Sequence, residues 1–143
     1  MEFASIVRRD GPPRGYTTPP FPSLRWAPSE PAWNLYYLGD IWRFTFLWTL
    51  IIYGLFHIGA AGVALLMQVG KGKSNWKYLW MVPLSYAFIA GVEAVLAGSV
   101  VGLMVGATYI AGNFTMSTWI PFVWGLVNVL VLLVSSFRIQ GGL

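Results

Sequence analysis

The stretch "AFIAGVEAVLAGSVVGLMVG", residues 87–106, holds twenty residues and a single charge, Glu93. As an α-helix it would measure about 30 Å, the thickness of a bilayer's hydrocarbon core. It lies within a longer apolar run, "LWMVPLSYAFIAGVEAVLAGSVVGLMVGATYI", residues 79–110. Two similar runs flank it: "FTFLWTLIIYGLFHIGAAGVALLMQ", residues 44–68, and "WIPFVWGLVNVLVLLVSSF", residues 119–137. In chain order the three would measure roughly 37, 48 and 28 Å, so each can span and the second should tilt or project. The expected fold is all-α: a polytopic membrane protein with three transmembrane helices, residues 43–143, behind an extramembrane tail, residues 1–42. Pro83 and Pro121 fall near helix starts, where a missing N–H is tolerated. Trp76, Tyr78, Trp80, Trp119 and Trp124 fall near run ends, as an aromatic belt would.

Composition agrees. The chain is 57% hydrophobic and 10% charged, with mean hydropathy +0.63. Soluble domains carry about 25% charged residues, so there is too little charge here to cover a water-facing surface. The absence of cysteine excludes disulfides, thiol nucleophiles and Cys-based metal sites. The net charge of +4 comes with no basic stripe or binding motif, so no nucleic-acid partner is expected.

The tail holds seven of the nine prolines, all of them in "DGPPRGYTTPPFPSLRWAPSEP", and shows neither a helical nor a strand period. Such a segment is expected to be extended and largely disordered. It is no signal peptide, since the first apolar run begins only after Arg43. Trp26, Trp33, Tyr36, Tyr37 and Trp42 suit a membrane interface or a partner's groove.

Lys71, Lys73 and Lys77 in the first loop and Arg138 after the third run fall on one side, whereas the second loop, "AGNFTMST", has no Lys or Arg. The positive-inside rule places the first loop and C-terminus in the cytosol and the tail in the lumen. The same lysines can attract anionic lipid at about 1 kcal/mol each, or merely set topology. The sequon Asn113-Phe114-Thr115 falls on the lumenal side, in a loop that hugs the membrane.

On a helical wheel Gly91, Gly98, Gly102 and Gly106 share one stripe of the second helix, the kind that lets two backbones approach closely. The third helix carries a matching stripe of Pro121, Gly125, Asn128 and Ser135, and Asn128 can donate across such a seam. The expected seam therefore joins the second and third helices. Glu93 points nearly opposite the glycines, which would make the second helix central. An acid at mid-span costs about 3 kcal/mol on insertion scales, against roughly 3–6 kcal/mol returned by the surrounding Leu, Ile, Val and Phe. Glu93 therefore needs a partner or a proton. His57 lies at mid-depth of the first helix, on a face with Ala60, Ala61 and Ala64, and a His57–Glu93 hydrogen bond is expected.

That pair reads as a satisfied buried contact that fixes helix register, as a proton relay, or as a contact for a partner's residue or a lipid headgroup. No string of acids continues to either surface, which favours the first reading. Catalysis has less support. There is one His, no metal-ligand spacing, no phosphate loop, and Ser135 and Ser136 are expected to bond their own helix carbonyls. No cofactor or metal site is expected.

"WRFTFLWTLIIYGLFHIGAAGVALLM", the short Lys-bearing loop, the Gly/Ala-rich second span and the terminal "VSSFRIQGGL" together resemble the transmembrane protein 170 family over residues 42–143. Phe56-His57 and "SFRI", residues 136–139, carry the likeness most clearly. The tail has no assignable counterpart, and Glu93 departs from the pattern of the family's animal members. The resemblance implies a non-catalytic, three-span protein of the endoplasmic reticulum and nuclear envelope, linked to membrane shape and to long bridge-like lipid-transfer proteins. The residues leave two function classes open: a scaffolding subunit of a larger membrane assembly, or a small transporter or proton-coupled unit that uses Glu93 and His57.

Overall fold

The computed structural model describes residues 5–26, 31–68 and 78–140. Three helices carry the fold: α1, Leu38–Gln68, α2, Met81–Ala111, and α3, Trp119–Gln140. All three are long and apolar enough to cross a membrane. A short antiparallel pair, β1 (Asn34–Leu35) and β2 (Met116–Ser117), joins the segment before α1 to the α2–α3 loop. Asn34 lies opposite Ser117 and Leu35 opposite Met116.

Helix α1 starts earlier than its apolar run. The boundary expected at residues 42/43 falls inside it. Asp40 in the first turn suits the positive end of the helix dipole, and the Leu38 N–H donates to the Ile6 carbonyl at 2.9 Å. The tail thus satisfies one of the helix's orphan donors. At 31 residues each, α1 and α2 measure about 46 Å, so both exceed the roughly 30 Å core, not α2 alone. Pro83 and Pro121 are each the third residue of their helix, where they break no helical hydrogen bond.

The central helix is α1, not α2. It packs against both neighbours, while α2 and α3 scarcely touch. Both glycine stripes therefore turn toward α1. A Cβ on Gly98 would meet the Phe46 Cα at 3.2 Å, and one on Gly102 the Trp42 Cα at 3.3 Å. On Gly106 it would run into the Leu38 side chain. On α3, a Cβ at Gly125 would meet the Thr49 backbone nitrogen at 3.2 Å. Gly91 takes no part in this seam, having nothing within 4 Å of its Cβ position. Asn128 is buried and donates to α1, while Ser135 is exposed and bonds its own helix at the Leu132 carbonyl.

The described tail residues, expected to be disordered, wrap the end of the bundle where α1 begins. The Tyr16 hydroxyl donates to the Asn34 carbonyl at 2.7 Å, and Thr18 to the Asp40 carboxylate at 2.7 Å. The Phe21 ring packs edge-on to Phe44 at 5.4 Å and tilted against Trp48 at 5.1 Å. The α2–α3 loop reaches back, with the Thr118 hydroxyl donating to the Ser23 carbonyl and the Trp119 indole to the Arg25 carbonyl, each at 2.8 Å. Leu35, Ile41, Phe44, Val105 and Met116 form the core beneath this cap, and Ile52, Tyr53, Ala94 and Val129 form a second cluster farther along.

Candidate functional site

Every fourth residue of α1 from Thr45 to His57 is polar: Thr45, Thr49, Tyr53, His57. At 3.6 residues per turn these line one stripe, and α1 turns it inward. Thr45 and Thr49 are fully buried. Their hydroxyls donate back to the carbonyls of Ile41 and Thr45, each at 2.8 Å. The Asn128 amide donates to the Thr49 oxygen at 3.1 Å, and the Tyr53 hydroxyl donates to the Asn128 carbonyl at 3.1 Å. This reciprocal pair fastens α3 to α1 inside an apolar core, where an unpaired amide would cost about 1–3 kcal/mol.

His57 ends the stripe. Its Nδ1 lies 2.9 Å from the Tyr53 carbonyl oxygen, and its Nε2 lies 3.2 Å from Glu93 Oε2 on α2. A carbonyl can only accept, so Nδ1 carries a hydrogen. Nε2 is then the ring nitrogen that faces the Glu93 carboxyl group. Glu93 Oε2 is buried and receives no aligned hydrogen bond, so the expected hydrogen bond is found as a close contact at 3.2 Å. The His57 side chain is 14% exposed and that of Glu93 35%. A cavity of about 330 Å³ opens beside them, lined also by Tyr86, Ser136, Leu132 and Leu133.

This geometry does not make a relay along α1. Thr45, Thr49 and Tyr53 each give their hydroxyl proton to a backbone carbonyl, not to another hydroxyl. A proton arriving at His57 finds no continuous hydroxyl chain. Ser135 and Ser136 both bond the Leu132 carbonyl, as their helical setting predicts. Among the described residues no three His, Asp or Glu side chains gather as a metal site.

The tail aromatics are mostly spent within the chain. Tyr36 is buried, with Tyr16 edge-on at 4.8 Å and the Arg8 guanidinium over its ring. The Arg25 guanidinium covers Trp33 at 4.6 Å, and Trp42 stacks on Phe46 at 5.6 Å. Tyr37 bridges to Val7. Trp26 differs, being 94% exposed. Burial pushes the Tyr16 hydroxyl up to about 12, with a further push from the nearby Asp40 charge. The sequon asparagine, Asn113, adopts φ +54° just past α2 and donates its amide to Asp10 of the tail. Asn tolerates that left-handed turn better than most residues, so Asn113 has a structural use independent of any sugar. Lys71, Lys73 and Lys77, and the side chain of Arg138, lie outside what is described.

The polar stripe went unread in the sequence, where Thr45 and Thr49 pass as ordinary helix residues. Its signal is the exact spacing of four between hydroxyl and imidazole side chains on one helix.

A family model described as transmembrane protein 170A/B-like matches residues 34–143, beginning at the first residue of β1. In Saccharomyces cerevisiae, "Uncharacterized protein YPR153W" is 38% identical over 140 residues, covering 96% of each chain. That likeness takes in most of the tail, for which the sequence alone offered no counterpart. No solved structure matches.

Proposed function

The chain belongs to the transmembrane protein 170A/B-like family, and from that premise we propose that it is a non-catalytic membrane subunit of the endoplasmic reticulum and nuclear envelope. It scaffolds membrane organisation within a larger assembly, such as a bridge-like lipid-transfer complex. In the orientation proposed with it, the tail cap is lumenal, and the Lys71, Lys73 and Lys77 loop and the C-terminus are cytosolic.

One observation carries this reading. The described tail spends most of its aromatics on building a cap, yet holds Trp26 at 94% exposure. An exposed Trp on a folded extramembrane surface is the residue type that most often anchors a protein interface. The alternative of a proton-coupled transporter draws on His57 and Glu93, but the hydroxyls of α1 offer the pair no continuation.

The test is purification of the full chain in mild detergent. A large membrane partner should co-purify in fixed stoichiometry. Trp26→Ala should weaken that recovery by about 2 kcal/mol, the scale of an interface hot spot, with its own melting unchanged. A chain recovered alone, or a Trp26→Ala variant that holds the partner as tightly, would refute the assembly reading or the role of Trp26 respectively.

A further inference from the structure

The cavity beside His57 and Glu93 serves no contact described so far. It lies where α2 and α3 diverge, and it combines polar side chains with apolar walls from Leu132 and Leu133. We propose that it binds the hydroxyl headgroup of a neutral lipid of the diacylglycerol class.

Four observations point there. The first is an accessible acceptor. Glu93 Oε2 is buried against His57, but the Glu93 side chain as a whole is 35% exposed and lines the cavity, so its other carboxyl oxygen can accept from a hydroxyl that enters from the bilayer. The second is charge. Among the described residues no Lys or Arg lines the cavity. A phosphate placed there would meet the Glu93 carboxyl group with no Lys or Arg among the described residues to offset it, so phospholipid headgroups are disfavoured.

The third is depth. His57 lies about 16 Å along α1 from its end at Gln68, and Glu93 about 18 Å along α2 from its start at Met81. Both residues lie inside the apolar spans, which a headgroup reduced to one hydroxyl enters more readily than a hydrated phosphate. The fourth is size and residual polarity. About 330 Å³ is at the small end of ligand cavities, enough for a glycerol hydroxyl and its adjoining ester but not for whole acyl chains. Those chains would lie on the exposed apolar surface outside. The Tyr86 hydroxyl, which has no partner among the described residues, is placed to donate to the ester carbonyl.

The experiment uses the full chain alone in nanodiscs, so it is independent of any partner. A diacylglycerol bearing a photoreactive diazirine and an alkyne tag is the probe, with labelled peptides mapped by mass spectrometry. Labelling should fall on the segments around Phe56, Tyr86 and Leu133. Unlabelled diacylglycerol should compete and phosphatidic acid should not. Leu133→Trp, which fills the cavity from α3 while leaving His57 and Glu93 in the chain, should abolish labelling. Glu93→Leu should lower it about tenfold, the effect of one hydrogen bond to a charged group. Glu93→Gln keeps an acceptor and should retain most of it. Unchanged labelling in Leu133→Trp would overturn the site, and equal competition by phosphatidic acid would overturn the ligand class.

Discussion

His57 and Glu93 meet because each needs the other. An ionisable group at mid-span has few solutions, and this chain has a single histidine to offer. The contact was therefore legible from composition and depth alone. Its protonation was not, because the Tyr53 carbonyl that fixes the hydrogen on Nδ1 becomes visible only in three dimensions. From that geometry Glu93→Gln should be nearly silent for stability, since the amide NH₂ can donate to a bare Nε2. Glu93→Leu should cost about 1–3 kcal/mol, the penalty for a stranded buried group. Adding His57→Leu should recover much of that loss, because replacing both members of a buried pair with apolar residues is often neutral. A double-mutant cycle on melting in detergent checks this, and additive losses would show that the two side chains do not interact. A Glu93→Gln chain that folds but lacks activity in cells would favour the proton-coupled reading. The Thr49–Asn128–Tyr53 fastening was harder to read, because a helical threonine usually satisfies itself. Thr49 does so, and accepts from Asn128 as well.

At the scale of the helices, glycine spacing announces a close crossing but not the partner. The stripes on α2 and α3 looked matched to each other, yet their close contacts are with α1, where Thr45 and Thr49 meet the α2 glycines and the Trp48–Thr49 backbone meets Gly125 of α3. Gly102→Leu should therefore part α1 from α2, with Trp42 and Thr45 forced aside. A drop in melting temperature accompanied by loss of an engineered α1–α2 cross-link, with an α1–α3 cross-link retained, is the expected pattern. Gly91→Leu is the internal control. Its Cβ position is open, so stability should change by less than about 0.5 kcal/mol. If the two leucine variants behave alike, the glycines face lipid and not α1. The spans themselves were fully legible from length and hydropathy, apart from the early start of α1, whose first turn is held by the tail and not by an apolar run.

For the whole molecule, the tail decides how the bundle ends. Low complexity and proline suggested disorder, because no periodic pattern marks a segment that folds against other elements one side chain at a time. Phe21, Tyr16 and Thr18 each find a separate partner on or beside α1. Deleting residues 1–26 should thus leave the three spans able to insert, since none is touched, but uncover Phe44, which is fully buried. The two aromatic contacts of Phe21 contribute about 0.5–1.5 kcal/mol each, so Phe21→Ala alone should reproduce much of the loss. Alkali offers a reversible version of the same experiment. The Tyr16 hydroxyl titrates near 12 in the folded chain against an ordinary value of 10, so its protonated form is the one that docks. That contribution is complete below pH 10 and disappears as pH rises through 12. Proteolysis between the tail and α1, followed across that window, should accelerate in the wild type. Tyr16→Phe, which lacks the titrating group, should show a flat profile from a weaker start. A wild-type chain whose cleavage rate stays constant to pH 12, or a Phe21→Ala variant as stable as the wild type, would mean that the cap rests on contacts other than these.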